Sequence, residues 1–195
     1  MRRTKEEAMQ TREAVLNAAA RILAQLGVGA FTIEAVAQEA GVTKGGVLHH
    51  FPSKEALIDS LIDQVVEGFS SRLAAELALE PAGHQGRWLR AYIRTIFAVR
   101  DDDIHLIPAL ANAVAGDQQK LNHIRCSIEA SQQAAVEDGL DPIQAVIIRT
   151  AVDGVVFAQA LGIDVLDEAT KHKVYEELLR LTRVSMRHAE DIDAG

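Results

Sequence analysis

The chain has 195 residues, 48% of them hydrophobic, which is enough to bury a core and too apolar for a disordered chain. Aromatics make up only 4%, there are four prolines, and Ala, Leu, Val and Ile recur at helical spacing, so an all-α fold of about nine helices is expected. A net charge of −8 gives no bulk attraction for a polyanion, and one cysteine excludes an internal disulfide or a cysteine-based zinc site and fits a reducing cytoplasm. The charge is uneven: residues 1–55 hold seven Lys/Arg against six Asp/Glu, and the remainder holds thirteen against twenty-two. The amino-terminal quarter has been spared the acidity of the rest, which permits contact with nucleic acid there.

The amino end, MRRTKEEAMQTREAV, is too charged for a signal peptide. A first helix is predicted over about residues 5–26, burying Val15, Ala19, Ile22 and Leu26, with Gly27 and Gly29 at its end. Thr32 caps a short second helix that Gly41 breaks; Thr43 caps a third of two turns; Pro52 stops it, and Ser53 caps a long fourth. The fourth carries an apolar stripe at Ile58, Ile62, Val65, Phe69 and Leu73. After the PAGHQG break, a fifth helix over about residues 86–99 is apolar through Trp88, Tyr92, Ile96 and Phe97, and its Arg87, Arg90 and Arg94 read as a solvated basic face. Aspartates at 101–103 begin a sixth helix, and Gly116 and Asp117 introduce a seventh with a stripe at Leu121, Ile124, Ile128 and Ala135.

Pro142 opens an eighth helix that is apolar on nearly every side. Its length approaches a membrane span, but Arg149 and Asp153 near the middle would be costly in lipid, so no membrane association is expected. A second copy of the chain is the economical cover for such a helix. With the ninth, over about residues 167–188, whose lines run through Val174, Leu178, Leu181 and Ser185 and through Tyr175, Leu179, Thr182 and Met186, it would build a two-fold four-helix bundle.

Helices two and three, joined by the short turn at Gly41, have helix-turn-helix geometry: Ala37 is small where they approach, and Val42, Val47 and Phe51 are apolar pegs. Gly45 and Gly46 each weaken the third helix by roughly 1 kcal/mol relative to Ala, a poor choice unless the backbone must come close to a partner. Lys44 can donate to guanine N7 and O6, His49 can bond a base edge or phosphate, and Lys54 joins a positive side chain to free amides at a helix start. Arg2, Arg3 and Lys5 could add a basic arm. His49 and His50 point about 100° apart with no carboxylate on a shared face, so no metal is expected, nor any other cofactor.

The stretch TIEAVAQEAGVTKGGVLHHFPSKEAL resembles the DNA-binding segment of the tetracycline-repressor (TetR) family of bacterial regulators, over about residues 10–62. The resemblance implies a DNA-binding domain at 1–52 and a ligand-binding and dimerisation domain at 53–195. It places Lys44, Gly45 and His49 at base edges and Thr43, His50 and Lys54 at phosphates, with Gly46 beside them. The position the family usually fills with a DNA-touching Tyr is Leu48, read here as a core residue. A homodimer paired through helices eight and nine would bind a double-stranded operator as a repressor. A small, largely apolar effector would touch some of Trp88, Tyr92, Phe97, His105, Leu106, Asn112, Arg149 and Phe157. No phosphate loop, nucleophile elbow or metal spacing marks an enzyme. The competing readings are a helical enzyme or small-molecule binder using the surroundings of His105, or an adaptor that binds protein through the helix-turn-helix. Cys126 reads as incidental, and Asp153 as the partner of Arg149 one turn earlier.

Overall fold

The computed structural model describes residues 5–98 and 105–183, and among them are nine helices and no strand. They are α1 (Lys5–Ala30), α2 (Ile33–Glu39), α3 (Lys44–His50), α4 (Lys54–Ala78), α5 (Arg87–Phe97), α6 (Leu106–Ala113), α7 (Gln118–Val136), α8 (Pro142–Ala160) and α9 (Glu168–Leu181). The arm at Arg2 and Arg3, the aspartates at 101–103, and Ser185, Met186 and His188 lie outside the described residues.

Short polar side chains set several helix starts. Thr32 Oγ1 accepts from the Ala35 amide at 3.1 Å, Thr43 Oγ1 from Gly46 at 3.0 Å and Ser53 Oγ from Ala56 at 3.1 Å. Asp141 caps α8, with Pro142 in its first turn, and Asp167 caps α9. Each satisfies an amide the helix itself leaves unpaired.

The chain packs as two compact units, one from the described parts of 1–68 and 100–124, the other from those of 69–99 and 125–195. In the first, α1 packs on α2 and α6, and α2 on α3. Phe31 and Phe51, both fully buried, anchor it with Leu23, Leu57 and Leu61. Burying each such side chain contributes about 1.5–3 kcal/mol. Leu26 departs from expectation: it is 66% exposed. Leu23, one turn earlier, takes the core position, and the non-helical dihedrals at Gly27 turn the chain directly after Leu26.

In the second unit α5 packs on α8 and α9, burying Leu89, Ile93, Ala145, Ile148, Val152 and Leu178. The three arginines of α5 are not a solvated face. Arg90 is only 5% exposed, and its Nε donates to Glu80 at 2.7 Å. Arg94 pairs with Glu76 at 2.8 Å and also with Glu80, while Arg87 donates to the Leu77 carbonyl. Their acceptors come from the end of α4 and just beyond it, which the charge spacing within α5 could not reveal. Ile128 of α7, expected in an apolar stripe, is exposed, whereas Ala135 on the same helix is fully buried.

The eighth helix is apolar on both faces, as its composition suggests. Its inner residues meet α5, and its outer row of Ile143, Ile147, Gly154, Phe157 and Leu161 is exposed, with Ile143 at 63% and Phe157 at 55%. Successive positions lie four, seven, three and four residues apart, one stripe on a helix. It is the one described helix long and apolar enough to cross a membrane.

Candidate functional site

Two places concentrate the residues that the sequence singles out, one in each unit. In the first, the turn between α2 and α3 depends on Gly41, whose φ of 67° is a left-handed conformation that side chains disfavour. The turn closes with Val42 N donating to Ala37 O at 2.9 Å, and buried Val47 ties α3 to the core. That leaves the opposite face of α3 outward: Thr43, Lys44, Gly45, Leu48 and His49 are all exposed, and Gly46 and His50 are half-buried.

Leu48 is therefore not core. It stands 37% exposed on this surface, because Val47 already fills the inward position next to it. A Cβ added at Gly46 would lie 3.3 Å from Thr43 Oγ1, so Gly46 gives the cap room. A Cβ at Gly45 would meet only that same oxygen, at 3.9 Å, an ordinary contact. Among the described residues, nothing requires Gly45 to lack a side chain.

Lys54 begins α4, and its ammonium sits 5.4 Å from the centre of the Phe31 ring, a contact that restrains a flexible cation. Arg12 lies similarly over Phe51, at 5.0 Å. The His49 and His50 rings meet edge to face at 5.1 Å. No group of three His, Cys, Asp or Glu side chains suited to a metal occurs among the described residues. Lys44 carries a partner that sequence reasoning missed: Glu34 in the first turn of α2, at 2.5 Å.

In the second unit, buried Tyr92 is the centre of a polar cluster. Its hydroxyl donates to Asp153, and Trp88 stacks on its ring at 5.0 Å with Phe69 edge-on at 5.9 Å. Arg149 donates to Gln132 Oε1 at 2.6 Å, pairs with Asp153 at 3.3 Å, and lies 5.9 Å from the Tyr92 ring centre. Its Nε is buried with no hydrogen-bond partner among the described residues. Burial, and then the charge of Asp153, push the Tyr92 hydroxyl far above its ordinary range, so it stays a proton donor.

Of the eight residues expected around a ligand, Trp88, Tyr92 and Arg149 come together here. Phe97 packs instead on Tyr175 at 5.3 Å, and Phe157 faces outward on α8. His105, Leu106 and Asn112 belong to the first unit, where Leu106 is a core residue and the other two are exposed. A cleft of about 610 Å³ in the second unit is lined by Glu80, His84, Gln85, Arg90, Leu140 and Thr182, among others, and by none of the eight. Cys126 is exposed.

Comparisons with known proteins agree with this architecture. Residues 15–61 match the model of "Bacterial regulatory proteins, tetR family", and residues 86–183 match "Tetracyclin repressor-like, C-terminal domain". The "Probable HTH-type transcriptional regulator ArpR" of Pseudomonas putida is 30% identical over 142 residues, 71% of this chain and 64% of that one. The HTH-type transcriptional repressor BepR of Brucella suis is 45% identical over 62 residues, 32% of this chain and 30% of that one. The aligned stretches thus span less than two thirds of either relative. The crystal structure of the multidrug binding protein EbrR complexed with malachite green superposes with a TM-score of 0.61 at 23% identity, covering 89% of this chain and 98% of that one.

Proposed function

Because the chain belongs to the tetR family of bacterial regulatory proteins, we propose that it is a ligand-responsive transcriptional regulator, a repressor that a small effector releases from operator DNA in the cytoplasm. The observation that carries this reading is the outward face of α3, held by the Gly41 turn and bearing Lys44, a sterically unneeded Gly45, and His49.

The division of labour follows the chain. Residues 1–52 form the reading head, and 53–195 bind ligand and pair the copies. Lys44 and His49 meet base edges where Gly45 and Gly46 admit the backbone closely, and Thr43, His50 and Lys54 hold phosphates. Thr43 suits this double duty, since its oxygen accepts from Gly46 while its hydroxyl hydrogen remains to donate. Leu48, where the family usually has Tyr, offers an apolar contact suited to a thymine methyl instead.

Pairing of α8 and α9 between two copies would set two reading heads at major grooves roughly 34–36 Å apart. The exposed row of α8 supports this, and the charged outer side of α9, with its Glu177–Arg180 pair, leaves most of the apolar contact to α8. The effector is largely apolar; the multidrug binding protein EbrR, which shares the fold, is complexed with malachite green. The effector contacts the Trp88–Tyr92 stack and Arg149, and displaces α4, a helix with residues in both units. An effector favouring the released state by about 1–3 kcal/mol would weaken DNA binding about 5- to 150-fold.

The test is DNA binding by two variants, using duplexes that the wild-type protein retains from genomic fragments. Lys44→Ala should relax discrimination between sequences at a cost of about 1–3 kcal/mol, and Lys54→Ala should weaken all sequences alike. Binding that neither substitution alters would reject these roles. Insensitivity to salt would favour a protein-binding adaptor, since phosphate contacts weaken steeply as salt rises.

A further inference from the structure

Glu34 and Lys44 are ten residues apart and meet only because the Gly41 turn lays α3 against α2. Their side chains are 63% and 58% exposed, so the pair contributes little to folding. The Lys44 ammonium, and then its own backbone amide, hold the Glu34 carboxyl below the usual glutamate range, so it is ionised at neutral pH. A fixed negative charge therefore touches the residue assigned to base reading, on a surface meant to face a polyanion. Unless it has a purpose, that charge only opposes binding.

We propose that Glu34 is a specificity-determining residue of the reading head: it aims the Lys44 ammonium at a guanine edge and withholds it from phosphates. This rests on the DNA-binding role of α3 given above. An ammonium has three donors. One is taken by Glu34, and the two that remain match the N7 and O6 acceptors that guanine shows in the major groove. The pair also restrains a long, flexible stem before the DNA arrives, so less ordering is left to be done on binding.

Phosphates receive the opposite treatment. A lysine already neutralised by Glu34 displaces no counterion when it nears the backbone, and the carboxylate is repelled by the phosphates around it. Glu34 thus weakens binding to arbitrary duplex more than binding to a site with guanine at that position. Selectivity here comes from a penalty on the wrong partner as much as from a contact with the right one.

The experiment uses the full chain with Glu34→Gln, Lys44→Ala and the double substitution. The probes are a duplex the wild type selects from a random pool and a shuffled duplex of the same composition, each titrated across a range of salt. Glu34→Gln should tighten the shuffled duplex and steepen its log–log salt dependence by about 0.9 per reading head. The preference for the selected duplex should fall by roughly fivefold or more, the size of one lost base discrimination. In the Lys44→Ala background the same change should leave the preference unaltered. An unchanged preference in the single variant, or a loss that persists without Lys44, overturns the proposal while the DNA-binding role stands. A wild-type protein that selects no duplex overturns both. Glu34 is exposed, so an unaltered thermal melting curve is expected and confirms that the variant is folded.

Discussion

Arg90 and Glu80 show how far a side chain's setting can depart from its local pattern. Both are nearly buried, at 7% and 9% side-chain exposure, and Arg90 also donates to the Gln85 carbonyl. Removing one member of such a pair strands the other charge in a poorly solvated place, typically at about 3–5 kcal/mol. Glu80→Gln should therefore lower stability by roughly 3 kcal/mol at neutral pH, read from urea denaturation. Burial raises the Glu80 pKa, but its bonds to Arg94 and Arg90 outweigh that and hold the carboxyl below its ordinary 4.5. A depressed folded pKa means that the glutamate stabilises fully above the ordinary value and progressively less as pH falls toward the lower one. The gap between wild type and Glu80→Gln should accordingly narrow on acidification below about pH 4.5; a constant gap would show that the charge is not what matters.

Helix α5 begins at Gly86, which has a left-handed φ of 72° and no side chain to cap with. A Cβ there would come within 2.3 Å of the Thr182 carbonyl oxygen, so the chain can pass only as glycine. The missing cap is supplied from beyond the end of α7, where the two carboxylate oxygens of Asp138 accept from the Trp88 and Leu89 amides, each at 2.9 Å. Burial outweighs those bonds and raises the Asp138 pKa. Asp138→Ala should cost about 1–2 kcal/mol, with Asp138→Asn milder because it keeps an acceptor; thermal unfolding of the two would rank them. The contrast with Thr32, Thr43 and Ser53 explains what the sequence disclosed. Those caps lie within three residues of the amides they satisfy, so spacing alone identified them, and with them the helix-turn-helix. Asp138 acts across some fifty residues, Glu80 reaches Arg90 across ten, and Glu34 finds Lys44 only through a turn. The cluster around Tyr92 was legible in its members Trp88, Tyr92 and Arg149, and in Asp153 as the partner of Arg149 one turn away. Gln132 carries no such signal, and Phe157, expected at the effector, faces outward: an apolar helix does not announce which of its sides faces out.

For the whole molecule, the outer row of α8 is the feature that most needs a partner. A charge placed within it should oppose pairing without disturbing the inner face that meets α5. Ile147→Glu is expected to sediment as a single chain. Because two linked reading heads gain avidity over one, it should also bind operator DNA about 100-fold or more weakly. A variant that stayed paired would move the interface elsewhere. Gly45 acquires a further meaning in such a symmetric pair. A Cβ there makes only an ordinary contact, so a new side chain would alter what the protein prefers without disturbing how it folds. Each copy would present that change to its own arm of a palindrome, and one codon would rewrite both arms at once.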